Sequence, residues 1–155
     1  MSTDKPTLAE ATKDDAKLSD NVRLVLIGPD GVVKKDITLH NTTTTVLKTT
    51  TADQLLASPT LLKPTHGAVG TGTPSGTALG VELGARTVFA TKTRAALVVT
   101  MTWTVPAGTS TGALIEAGTF DQLALGGGMY TSATFAVINK GASDTLAVTW
   151  TITVA

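Results

Sequence analysis

Leu97-Val98-Val99-Thr100-Met101-Thr102-Trp103-Thr104-Val105 is the stretch that decides the fold. Leu97, Val99, Met101, Trp103 and Val105 alternate with Val98, Thr100, Thr102 and Thr104. A period of two puts one apolar and one mainly hydroxylated face on an extended chain, the pattern of a half-buried antiparallel strand. Leu146, Val148, Trp150, Ile152 and Val154 repeat it against Thr145, Ala147, Thr149, Thr151 and Thr153. Each segment carries one tryptophan on its apolar face, so Trp103 and Trp150 are expected in the same core.

Working outward, further strands are expected at Ala113–Glu116 and Met129–Ile138, separated by the turn-rich Leu125-Gly126-Gly127-Gly128, and at Arg86–Thr91. Near the N-terminus, Val22–Ile27 and Val32–Leu39 flank Gly28-Pro29-Asp30-Gly31. Proline sets φ early in that turn and glycine accepts positive φ at its end, so the pair reads as a hairpin. Thr42 to Val46 is expected to continue as extended chain. Thr51 to Ser58 predicts about two helical turns stopped by Pro59, the one helix of note. His66 to Gly84 reads as loop with a short strand. Many strands with one helix make the chain all-β, an antiparallel β-sandwich with one short helix. No internal repeat is evident.

Charge is distributed unevenly. The 155 residues have zero formal net charge and only 15% are charged, against about 25% usually. Eight of the charges fall within residues 1–20, which hold few large apolar groups. This segment is expected to be a flexible or extended N-terminal arm, with residues 21–155 as one assembly domain. From Met101 to Ala155 the only charged residues are Glu116, Asp121, Lys140 and Asp144. So little charge over a third of the length predicts surfaces covered by partners. About a fifth of the chain is threonine, which fits a pleated sheet and makes a polar face without charge. A neutral chain gains no counterion-release energy on a polyphosphate, so no nucleic-acid partner is expected, and no anionic membrane. There is no cysteine, which excludes disulfides and thiolate chemistry. The polar start is no signal peptide and no run reaches about 18 apolar residues, predicting a soluble chain made in the cytoplasm.

No chemical motif survives inspection. Gly70-Thr71-Gly72-Thr73-Pro74-Ser75-Gly76 lacks the lysine and hydroxyl that close a P-loop and misses the dinucleotide spacing, so it reads as a turn or assembly loop. His40 and His66 have no second ligand at helical spacing and read as structural or surface residues. Ser58, Ser75, Ser110, Ser132 and Ser143 sit in no nucleophile elbow. Glu116 and Asp121 flank a Gly-Thr-Phe turn and invite a paired-carboxylate reading. The preferred reading ends a strand at Glu116 and pairs it with Arg86 or Arg94, across the sheet or a subunit boundary. Calcium loops need carboxylates at alternate positions, which are lacking. No catalytic, cofactor or metal residue is therefore assigned, and the chain is expected not to be an enzyme.

The order of several segments carries a family resemblance. Pro64-Thr65-His66-Gly67-Ala68-Val69-Gly70-Thr71-Gly72 is followed by Thr77-Ala78-Leu79, Glu82-Leu83 and Arg86, then by Glu116-Ala117-Gly118-Thr119-Phe120-Asp121. Phe135 to Leu146 follows, and the chain closes with a Thr-Trp-Thr strand. Across residues 22–155 this succession resembles a family of small structural proteins of tailed bacteriophages. Across 64–121 it is also similar to the N-terminal attachment domain of phage tail-collar fibre proteins. The resemblance implies a virion role without chemistry. The chain stops at Ala155, after the last strand and without a stalk, so a stand-alone decoration or connector subunit is expected rather than a fibre.

A capsid decoration (cement) protein needs a compact sandwich, a poorly charged oligomer interface and an arm that crosses neighbouring capsomers. That is the expectation for this chain. It predicts a homo-oligomer, a trimer by preference, bound to the major capsid protein or another virion protein and located in the virion. The alternatives are a tail, baseplate or fibre-attachment subunit and, more distantly, a carbohydrate-binding module for host adsorption.

Overall fold

A computed structural model describes residues 17–56 and 63–154. Among them are ten strands and one helix. The strands are β1 (Leu18–Ile27), β2 (Val33–His40), β3 (Thr42–Thr43), β4 (His66–Gly70), β5 (Thr87–Val88), β6 (Thr91–Ala95), β7 (Val98–Val105), β8 (Gly112–Phe120), β9 (Met129–Lys140) and β10 (Thr145–Val154), and the helix is α1 (Thr45–Asp53). They form two five-stranded sheets, ordered β2-β1-β10-β7-β6 and β3-β9-β8-β4-β5. Every pairing is antiparallel. The expected antiparallel sandwich is the observed architecture.

The alternation read in β7 and β10 is what builds the core. Met101, Trp103 and Val105 pack with Leu146, Val148, Trp150 and Ile152, and β1 adds Val22, Leu24 and Leu26. The second sheet supplies Val69, Leu114, Ala117, Tyr130, Ala133, Phe135 and Ile138. Trp103 and Trp150 stack with centroids 5.9 Å apart and planes 17° apart, and Phe89 lies 5.4 Å from Trp103. Gly67 on β4 faces this group so closely that a Cβ there would overlap the Trp103 indole. Leu97 departs from the pattern. It sits in the β6–β7 turn and is 61% exposed.

The β1–β2 hairpin forms around the expected turn, with the Gly31 N–H donating to the Gly28 carbonyl at 3.0 Å and φ of 78° at Gly31. Four other expectations need correction. The arm does not extend to residue 20, because Leu18, Ser19 and Asp20 pair with Val154, Thr153 and Ile152. Residues 1–16 lie outside the described residues. The helix is Thr45–Asp53 rather than Thr51–Ser58, and only Thr42–Thr43 of the preceding run is strand. Here the Thr44 hydroxyl caps the helix, accepting from the Leu47 N–H at 3.4 Å, while Leu47 is buried in the core. An N-cap plus one buried leucine outweighs the β preference of a threonine run. Ala57, Ser58 and Pro59 lie outside the described residues. Arg86–Thr91 is not one strand: Thr87–Val88 joins the second sheet and Thr91–Ala95 the first. Finally, β8 does not end at Glu116 but runs to Phe120, in register with Met129, so Gly118-Thr119-Phe120 is strand rather than turn.

Candidate assembly surface

The segment from Thr71 to Arg86 crosses the outer face of the second sheet, and two charged side chains hold what lies around it. Glu116 is wholly buried. One carboxylate oxygen accepts the N–H groups of Gly72 and Val81, and the other that of Gly80, each at 2.8 Å. Three N–H donors on one carboxylate make a charge-assisted cradle and answer the cost of burying the charge. The backbone closes tightly around it, for a Cβ on Gly72 would lie 2.6 Å from the Val81 nitrogen. Leu79 drops into a second apolar cluster with Ala68, Phe120 and Met129.

Arg86 is 5% exposed. Its Nε and Nη2 donate to the Glu82 carboxylate at 2.6–3.1 Å. Nη1 donates to the carbonyls of Gln122 and Gly126, at 3.1 and 2.9 Å. The guanidinium carbon lies 3.6 Å from the centroid of the Phe120 ring. The β8–β9 loop is tied at further points: the Gly128 N–H donates to Asp121 Oδ1 at 3.0 Å, and Thr65 Oγ1 to the Asp121 carbonyl at 2.9 Å. A fixed fork of donors thus pins a loop whose own leucines point outward, Leu123 being 59% and Leu125 80% exposed.

Leu123 also lines a hollow with His66, Arg86, Val88, Pro106 and Thr109. In the second sheet Phe120 stands opposite Met129, and in the first Leu18 stands opposite Val154 and Ala95 opposite Val98. Leu55 and Leu56, after α1, are 89% and 60% exposed. Leu55 shares a hollow with Leu47 and Lys63, and these two also border an apolar groove of about 400 Å³, lined by Leu18, Leu47, Val99, Met101, Ile152 and Val154 and rimmed by Lys63, Lys92 and Arg94. Burial and the nearby Lys63 pull the Lys92 ammonium below its ordinary pKa. The β7–β8 and β9–β10 turns are closed by polar anchors. Lys140, 2% exposed, donates to the carbonyls of Pro106 and Thr109 at 2.9 Å each, and Lys34 pairs with Asp144 at 2.7 Å.

The residues weighed for chemistry are dispersed. Glu116 and Asp121 are separated by roughly 16 Å of extended strand. They hold different backbone groups, so they form no carboxylate pair. Glu116 does not pair with an arginine, because backbone donors fill its carboxylate; Arg86 takes Glu82, and Arg94 donates to the Ala96 carbonyl at 2.8 Å. His66 Nδ1 lies 2.7 Å from Thr65 Oγ1, while His40 is exposed at the end of β2. Ser75 closes its own turn with Ala78, and Ser110 donates to the Leu83 carbonyl at 2.5 Å. Ser132 lies buried on β9 and Ser143 is exposed in the β9–β10 turn; Ser58 lies outside the described residues. Among the described residues, no three His, Cys, Asp or Glu side chains gather as a metal site, and no helix is long and apolar enough to cross a membrane. None of the anchors was legible in the sequence: Glu82 and Arg86 are four residues apart but lie on no helix, and the Glu116 cradle and the Lys140 site join groups distant in the chain. Comparison with protein-family models, with curated proteins and with solved structures gives no match for this chain.

Proposed function

We propose that the chain is a non-catalytic structural subunit of a bacteriophage virion, with capsid decoration as the narrower assignment. The observation that carries the proposal is the pinned β8–β9 loop, where Arg86 holds exposed Leu123 and Leu125 on a rigid frame. A preorganised apolar projection lowers the ordering cost of association. The sparse charge from Met101 onward supports the same reading, as does the resemblance to small tailed-phage structural proteins. In this assignment the exposed leucines of the β8–β9 loop meet the capsid or a neighbouring subunit, with a homo-oligomer, a trimer by preference, as the working unit. Trp103 and Trp150 are buried, which leaves neither as a stacking platform for sugars and ranks glycan binding lower.

The test is copy number in purified particles, by quantitative mass spectrometry against the major capsid protein. A ratio between one to one and one to three, order-of-magnitude marks for a surface-wide lattice, supports decoration. A ratio near about one to a hundred transfers the protein to the tail, the second placement within the same class. Absence from particles overturns the virion reading.

A further inference from the structure

The apolar groove beside Leu18 has a cationic surround that the described part of the molecule does not neutralise. Lys63, Lys92 and Arg94 stand on its rim, and Lys17 and Lys48 line the adjoining hollow with Leu18 and Ser19. All five are exposed. Among the described residues the ion pairs are Arg23–Asp36, Lys34–Asp144 and Arg86–Glu82, and none involves these five cations. Five like charges around one apolar recess repel each other unless an acidic partner lies among them.

The sequence immediately before the groove has the matching chemistry. Residues 1–16 carry four carboxylates, Asp4, Glu10, Asp14 and Asp15, against two lysines, Lys5 and Lys13. They therefore hold a net charge of −2, leaving +2 for the rest of a chain whose total is zero. Asp14 and Asp15 stand four and three residues before Leu18, itself a groove-lining residue. At roughly 3.3–3.6 Å per residue, both carboxylates can reach the rim of their own molecule. Leu8, with Ala9 and Ala11, supplies the apolar side chains that the recess can take up.

We propose that residues 1–16 are the occupant of this groove in their own chain, with Asp14 and Asp15 against the Lys63, Lys92 and Arg94 rim and Leu8 over the apolar floor.

The full chain contains no cysteine, so a single Ala11→Cys substitution carrying a nitroxide gives an unambiguous probe. Nuclear magnetic resonance should show paramagnetic broadening of Leu47, Val99 and Val154, and none of Val32 and Val33 at the opposite end. Asp14→Lys with Asp15→Lys should relieve the broadening severalfold, and so should raising the salt from about 0.05 to 0.5 M. Broadening absent or spread evenly over the molecule overturns the proposal. A mixture of isotope-labelled chains without nitroxide and unlabelled chains with it separates own arm from neighbour's. Broadening that appears in the mixture assigns the groove to a neighbour's arm and overturns the same-chain seat. The measurement uses protein alone, so its result is independent of whether the chain belongs to a virion.

Discussion

Glu116 shows how one buried charge organises a segment that has no regular structure of its own. Its carboxylate serves three backbone donors, so Glu116→Ala leaves three N–H groups short and should cost about 3–5 kcal/mol. Glu116→Gln keeps one acceptor oxygen and should cost about half as much. Denaturant unfolding of both variants checks the order, and equal stability of the alanine variant would refute the cradle. Asp20 poses the opposite case. It is 3% exposed, and burial pushes its carboxyl above the ordinary value, although hydrogen bonds from Thr43 and Asn41 pull the other way. The folded chain therefore holds the Asp20 proton more tightly than the unfolded chain does. This single group destabilises the fold above its raised pKa, and the penalty fades as pH falls towards the unfolded value near ~3.9. Asp20→Asn should leave stability at pH 7 unchanged or higher. On going from neutral pH to the mildly acidic range, the Tm of the variant should also change less favourably than that of the parent. A marked loss of stability at pH 7 in the variant would contradict this account.

At the scale of elements, the β8–β9 loop depends on a residue that belongs to neither strand. Arg86→Lys preserves the charge but cannot span the Glu82 carboxylate and two carbonyls at once. The expected cost is about 1–3 kcal/mol, with faster amide hydrogen exchange confined to residues 121–128. Exchange that rises equally throughout the domain would show that Arg86 supports the whole fold rather than the loop. The spacing between the sheets has an equally specific control. Gly67 is where β4 approaches the stacked tryptophans, so Gly67→Ala must displace the Trp103 indole. A cost of about 3 kcal/mol follows from overpacking. Loss of the near-ultraviolet circular dichroism of the two tryptophans at lower denaturant would report it.

For the whole molecule, the boundary between arm and sheet decides how truncation behaves. Deletion of residues 1–16 leaves β1 whole and should reduce stability by less than about 1 kcal/mol. Deletion of 1–20 removes the pairing of Leu18, Ser19 and Asp20 with β10. It also removes the acceptor of the Asn41 and Thr43 side chains. That longer deletion should cost several-fold more. Thermal unfolding distinguishes the two truncations. A test of the proposed virion role by incorporation into particles therefore uses the shorter one, because the longer one confounds attachment with folding. Normal incorporation of the 1–16 deletion would remove the arm from the proposed attachment.

The fold class was determined by sequence alone because period-two patterning is a local property. In β7 and β10 every second residue is apolar, and no other regular structure places those side chains on one face. The hairpin turn, the shared core of Trp103 and Trp150, and the lack of thiol chemistry follow from residues near each other in the chain or from composition. What tertiary structure decided was each feature that rests on partners distant in sequence. The helix moved to Thr45 because Leu47 found a place in the core. Arg86–Thr91 divided between two sheets. Glu116 met backbone donors 35 to 44 residues away instead of an arginine. The rigid exposure of Leu123 and Leu125 likewise depends on Arg86, 36 and 40 residues from the carbonyls it holds. Hydrophobic alternation records only which side of a strand is buried. Which polar groups meet across the sheets is set by chain path, and one sequence without its fold does not contain that information.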